Sequence, residues 1–255
     1  MDERLAGGFD GGASLVDGVV RRTAGSWTSS VHALLTHLEA AGFTGAPRAL
    51  GIDADGREMV SFLPGQTVGN ARPWPSWTHS SSALTDVAQW LRRYHAAVAD
   101  FVPPYDASWR EGGTWQPGMI IAHNDAAPYN AVWNTEGLVG FVDWDMAGPV
   151  RPELDVAWVA FSWTPLHAPH VVAAEGFTDL DARLPRLSDF LREYRWQGTT
   201  NDILDLVAER LTLQLSRMIQ AAATDPTYQR MLDAGRDHDL TVALNQLPTL
   251  RRGGG

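Results

Sequence analysis

The sequence predicts an α+β protein with a small strand-rich front and a larger helical back, parting near residue 64. Three observations carry this. Up to residue 63, short apolar runs alternate with turn signals around one helical stretch. From residue 84 onward, helical periodicity dominates. Between them, Pro64-Gly65, Gly69, Pro73 and Pro75 interrupt both patterns, with Trp74 and Trp77 among them. The composition is that of a folded protein: 255 residues, 44% hydrophobic and 20% charged, which excludes a disordered or fibrous chain. Such a length supports one large core or two lobes, here 1–64 and 65–255.

The elements follow in order. Residues 5–22 read as a strand, a glycine-rich turn containing Gly7-Gly8 and Gly11-Gly12, and a second strand ending in Val19-Val20-Arg21-Arg22. Residues 28–42 place Val31, Leu34, Leu35 and Leu38 on one helical face, with Gly42 as the stop. Residues 47–51 and 57–63 form a hairpin around Asp53-Ala54-Asp55-Gly56. After the connection, Leu84, Val87, Leu91, Tyr94 and Val98 mark a helix, and Met119 to Ala122 a short buried strand. Residues 130–134 and 138–142 make a second hairpin, and helices are expected over 153–163, 182–196, 202–223 and 227–246.

Charge and residue usage exclude several chemistries. There is no Cys, so disulfides, thiolate metal sites and cysteine nucleophiles are ruled out. All 20 basic residues are Arg, which removes Schiff-base chemistry, lysine bases and a phosphate-loop lysine. A net charge of −10 argues against nucleic acid as the main partner and suits a cationic small molecule. No apolar run is long enough to span a bilayer, and Met1-Asp2-Glu3-Arg4 does not open a signal peptide, so a cytoplasmic protein without a membrane partner is expected. No feature sets an oligomeric state.

The chemistry concentrates between residues 118 and 155. An apolar strand leads into His123-Asn124-Asp125-Ala-Ala-Pro128-Tyr129-Asn130, and the second strand of the following hairpin ends at Val142-Asp143-Trp144-Asp145. This places the oxygens of Asp125, Asn130 and Asp143 at the ends of neighbouring strands. Carboxylate and amide oxygens are hard ligands, suited to Mg²⁺ shared with phosphate oxygens. Asp145 reads as a supporting or solvated carboxylate beside them. Trp109, Trp115 and Trp163 are candidates for a substrate cleft, although most tryptophans of such a chain pack in its core.

This block resembles the catalytic loop and metal-binding aspartate of the protein-kinase-like fold, in its aminoglycoside phosphotransferase branch. Arg151-Pro-Glu-Leu-Asp155 is similar to the short helix that follows, and Phe43 to Gly51 with Ser61-Phe-Leu63-Pro-Gly65 to the small lobe. The resemblance implies a two-lobe fold, with nucleotide bound by 1–64 and catalysis and substrate binding carried by 65–255. It implies ATP and Mg²⁺ as cofactors and an aminoglycoside-like or other small-molecule hydroxyl as acceptor. Asp125 would take the hydroxyl proton, Asn130 and Asp143 would hold Mg²⁺, and His123 and Asp155 would be structural supports. Ser61 and Leu63 would offer backbone groups to the adenine, and Gly7 and Gly8 would cover the nucleotide.

Two departures stand out. Where the family carries a lysine on a small-lobe strand for the α- and β-phosphates, this chain has Arg21 and Arg22. Alternation points them to opposite faces, so one serves, and Arg21 is expected to be the inward one. The lysine's glutamate partner is also missing: residues 29–34 hold no carboxylate, and the corresponding salt bridge is expected to be absent. These departures leave a second reading open, a non-catalytic nucleotide-binding or immunity-type protein on the same scaffold. A metal-dependent hydrolase built on Asp143 and Asp145 would leave the His123-to-Asn130 pattern unexplained.

Overall fold

The computed structural model describes residues 3–5, 12–69 and 71–252. Gly7 and Gly8, read above as a nucleotide-covering turn, and Gly11 lie outside them. The chain forms two compact units, one of residues 1–70 and 90–152, the other of residues 71–89 and 153–255. These units divide the chain differently from a single cut after residue 64, because the second hairpin and the segment around Asp125 cluster with the N-terminal sheet.

In the first unit, β1 (Glu3–Leu5), β2 (Ala13–Val16), β3 (Val19–Thr23), β5 (Arg57–Ser61) and β4 (Ala49–Ile52) form a five-stranded sheet in that spatial order. All its pairings are antiparallel. The β4–β5 turn follows its sequence chemistry. The Asp53 carboxylate accepts the backbone N–H of Asp55 at 3.0 Å and of Arg57 at 2.8 Å, and Gly56 takes φ +78°. Helix α1 (Thr28–Ala40) buries Val31, Leu34, Leu35 and Leu38, the residues whose spacing predicted it.

Helix α2 (Ser81–Val98) delivers Trp90, Leu91 and Tyr94, all fully buried, to the core of this unit. Strand β7 (Ile120–Ala122) pairs with β10 (Gly148–Val150), while β6 (Gln66–Thr67), β8 (Ala131–Asn134) and β9 (Gly137–Phe141) make a three-stranded sheet. An aromatic cluster binds these pieces. The Trp90 ring lies 4.4 Å from Phe141 and 5.3 Å from Tyr94, and Tyr94 lies 5.5 Å from Trp144. Each polar tip is satisfied by a carbonyl: Trp90 donates to Gly45, Trp144 to Phe141, and Tyr94 to Ile121. Gly140 is required where β9 crosses Gly45, because a Cβ there would stand 2.3 Å from the Gly45 carbonyl oxygen. Gly140→Ala is therefore expected to lower stability by about 3 kcal/mol, the upper range for overpacking, since neither backbone can yield. Urea unfolding checks this.

The second unit holds the helices α3 (Pro152–Trp163), α4 (Pro169–Ala174), α5 (Arg183–Tyr194), α6 (Thr200–Ala221), α7 (Pro226–Asp233) and α8 (Arg236–Arg252). Thr199 and Asp202 close a capping box at the start of α6. Arg210 is buried within the unit, its guanidinium 5.1 Å from the centre of the Trp158 ring. The stretch expected as one helix over 227–246 is two, because Gly235 at φ +74° breaks it. Sequence periodicity did not register that break, since apolar residues recur at helical spacing on both sides. No helix among the described residues is long and apolar enough to cross a membrane. The α+β class expected from the sequence is the class observed.

Candidate active site

The site lies in the first unit and is built on two short connections. The first runs from β7 to β8. Here Asn124 adopts a left-handed backbone, φ +60°, stabilised by its side-chain amide, which donates to the carbonyls of Met146 at 3.0 Å and Gly148 at 3.4 Å. Asparagine tolerates this region better than most residues. The second connection follows β9, where Asp143 sits at φ +62°, ψ +66° and is succeeded by a helical turn over Trp144–Met146. His123 ties the two together. Its Nε2–H donates to the Val142 carbonyl at 3.0 Å, and its Nδ1 accepts the Asp125 backbone N–H at 3.2 Å, an arrangement of the neutral ring. His123 is buried, with Trp144 at 4.4 Å.

Asp125 is bonded through both of its oxygens. Its Oδ1 accepts the Tyr129 hydroxyl at 2.5 Å and its Oδ2 the Asn130 amide at 2.8 Å. Burial pushes its pKa up to about 8. Tyr129 and Asn130 pull it down, and Asp143 and Glu111 push it further up. The Asn130 amide nitrogen is committed to Asp125, which leaves its carbonyl oxygen as a ligand. Asp143 gives Oδ1 to Arg22, leaving Oδ2, and its side chain is 41% exposed. Among the described residues, no group of three or more His, Asp or Glu is disposed to hold a metal ion. A carboxylate and an amide oxygen make an open, hard site, and that donor set fits Mg²⁺ completed by phosphate oxygens and water.

The cation of the site is Arg22, which corrects the expectation for Arg21. Arg22 Nε meets Glu58 at 2.5 Å, Nη1 meets Asp143 at 2.9 Å and Nη2 meets Asp145 at 2.7 Å. Burial works against its charge, but Asp145, Glu58 and Asp143 outweigh it and raise its pKa. Arg21 lies on the other face of β3, 3.8 Å from Asp53. Alternation correctly separates the two arginines. It does not tell which sheet face looks toward Asp143, and that face is the one carrying Val20 and Arg22.

Arg22 does have a glutamate partner, although not one from the helix. The partner is supplied by the neighbouring strand instead of the helix: Glu58 on β5 stands directly opposite Arg22. It is buried, and His32 of α1 bonds its second oxygen at 3.0 Å. Burial opposes the ionised form of Glu58, yet His32 and Arg22 hold its pKa below the usual value. Asp145 is bound by a second arginine, Arg110, at 3.6 Å, whose guanidinium stacks 4.6 Å from the centre of the Trp27 ring. Burial pushes Asp145 up to about 6. Arg22 lowers it, Asp143 and Glu58 raise it, and a hydrogen bond from Trp27 lowers it.

Residues 107–194, which include Asp125, Asn130 and Asp143, match the phosphotransferase enzyme family. The chain resembles this family and shares its kinase-like fold. The trifolitoxin immunity protein of Rhizobium leguminosarum bv. trifolii is 41% identical over 145 residues, 55% of this chain and 53% of that protein. The chain thus spans about half the length of this curated relative. A choline/ethanolamine kinase family protein from Mesorhizobium loti superposes with a TM-score of 0.58 over 97% of this chain and 92% of its own, at 15% identity. An amicoumacin kinase solved with AMP-PNP and Ca²⁺ gives 0.57 over 96% and 87%, at 12% identity. At such identities the likeness is one of fold.

Around this segment the remaining candidates fall as follows. Ser61 ends β5, its hydroxyl accepting the Arg48 backbone N–H at 2.8 Å, and Leu63 is buried just beyond. Asp155 lies in α3 and is buried in the second unit, near Tyr194, whose pKa burial, Asp155 and Glu153 push up to about 12. Trp109 and Trp163 are buried, and Trp115 donates to the Met119 carbonyl at 2.9 Å. Sequence reading did not single out Glu58, His32, Tyr129, Arg110 or Trp27 for this site. Only Tyr129 had an accessible signal, its place four residues after Asp125 within the motif.

Proposed function

We propose that this chain is an ATP- and Mg²⁺-dependent phosphotransferase acting in the cytoplasm on a hydroxyl of a small molecule, an aminoglycoside-like or other cationic acceptor. The observation that carries this reading is the convergence, within one compact unit, of Asp125, Asn130 and Asp143 with the arginine Arg22. Asp125 orients the acceptor hydroxyl and takes its proton as the hydroxyl oxygen bonds to the γ-phosphorus and the bond to the ADP oxygen breaks. Asn130 and Asp143 would hold Mg²⁺, which when bound neutralises charge on the phosphate oxygens. Arg22 turns its Nη groups to those phosphates, and Leu63 receives the adenine through its backbone, because the Ser61 N–H is already donated to the Arg48 carbonyl at 2.9 Å. The net charge of −10 favours a cationic acceptor.

A second reading, a non-catalytic immunity-type protein on the same scaffold, is favoured by the 41% identity to an immunity protein over part of the chain. ATP consumption across a panel of hydroxylated cations, with product mass determined, separates the two. A phosphorylated product supports the first reading, and nucleotide binding without turnover across the panel supports the second. Asp143→Ala is expected to abolish the tightening of ATP binding by Mg²⁺ while leaving metal-free nucleotide binding in place. Calorimetry with and without Mg²⁺ measures this, and equal Mg²⁺ dependence in variant and wild type would move the metal elsewhere.

A further inference from the structure

We infer that Glu58 and His32 are the positioning residues of Arg22, standing in for the helix-borne glutamate that the sequence lacks. The inference rests on the phosphotransferase reading above.

The guanidinium of Arg22 is divided atom by atom. Its Nε edge belongs to Glu58, whereas Nη1 and Nη2 belong to Asp143 and Asp145 in the turn after β9. Glu58 is satisfied on both oxygens, Oε2 by Arg22 and Oε1 by His32 Nε2–H at 3.0 Å. At 1% exposure it cannot turn without leaving a buried oxygen unpaired. The Arg22–Glu58 pair is also a direct cross-strand pair of β3 and β5, so sheet hydrogen bonds set its spacing.

The two edges therefore differ in function. The Nε edge is fixed by a buried carboxylate, and the Nη edge is the part able to exchange loop carboxylates for phosphate oxygens. Arginine binds phosphate as a planar fork, so its affinity depends on the plane in which it is held. Glu58 sets that plane, and His32 makes the setting depend on the position of α1. A helix-borne carboxylate is thus unnecessary here: the sheet carries the charge and the helix carries the hydrogen bond.

The test is a double-mutant cycle on the full chain, read as the affinity for a fluorescent ADP analogue, with thermal melting alongside. Glu58→Gln is expected to weaken binding about fivefold to tenfold, the loss of one charge-assisted hydrogen bond to Arg22. In an Arg22→Met background the same change should cost less than about twofold, because the residue it positions is gone. His32→Gln, which retains a donor, should bind like wild type, and His32→Phe should lose about threefold. If Glu58→Gln does not fold, the two His32 variants decide the question. Additive losses in the cycle, or equal affinity of His32→Gln and His32→Phe, overturn the inference while leaving the phosphotransferase reading intact. A wild type that binds no nucleotide overturns that reading, and this inference with it.

Discussion

Arg22→Ala is expected to lower the stability of the protein by about 3–5 kcal/mol, the range for removing one partner of a buried ion pair. The reason is local. Arg22 meets three carboxylates, and one of them, Glu58, is 1% exposed. Without the guanidinium, Glu58 keeps only its bond to His32, and Asp143 and Asp145 face each other with Arg110 as the nearest remaining cation to Asp145. Under the proposed function the same change should weaken nucleotide binding at least about tenfold, the scale of a lost charge-assisted contact. Arg21→Ala is the control. Its pairing with Asp53 is at the edge of ion-pair distance and partly solvated, so the loss should stay below about 0.5 kcal/mol. Urea unfolding and nucleotide titration of the two variants measure both effects. Equal behaviour of the two would remove Arg22 from the site.

Asp125→Asn is expected to lower turnover by at least about 10²-fold with nucleotide affinity unchanged, the scale of general-base assistance. The asparagine retains an oxygen to accept from Tyr129 or Asn130 but cannot take up a proton. The variant should also be no less stable than wild type. Burial together with Asp143 and Glu111 raises the Asp125 pKa, so its ionised form is disfavoured in the folded state relative to the unfolded one. That penalty is present above the unfolded-state pKa and grows with pH until it levels off above about 8. Removing the charge relieves it. Steady-state kinetics, nucleotide titration and thermal melting at neutral pH together check the prediction. Unchanged turnover would remove Asp125 from the chemistry.

Local chemistry was legible wherever it acts within a few residues. The Asp53-to-Gly56 turn, the apolar face of α1, and the apolar strands that bracket His123 and Asp143 all declare themselves by spacing, because the interacting groups are neighbours in the chain. The fold class followed from those pieces together with the resemblance of the 118–155 block. The residues that match the phosphotransferase family, 107–194, span that block.

Relations between distant segments were not legible. The choice between Arg21 and Arg22 depends on which face of β3 looks toward a turn 121 residues away. The kinase-like pattern puts a glutamate partner on the following helix, whereas here it stands on β5, 36 residues from Arg22. A strand's sequence states its alternation, but its register and neighbours are set by the other strands of the sheet. The sequence by itself determined the α+β class, the residue types available for chemistry and the loop that bears Asp125 and Asn130. Tertiary structure alone decided which arginine, which glutamate and which histidine stand together, because a buried charge is placed by the partners that neutralise it.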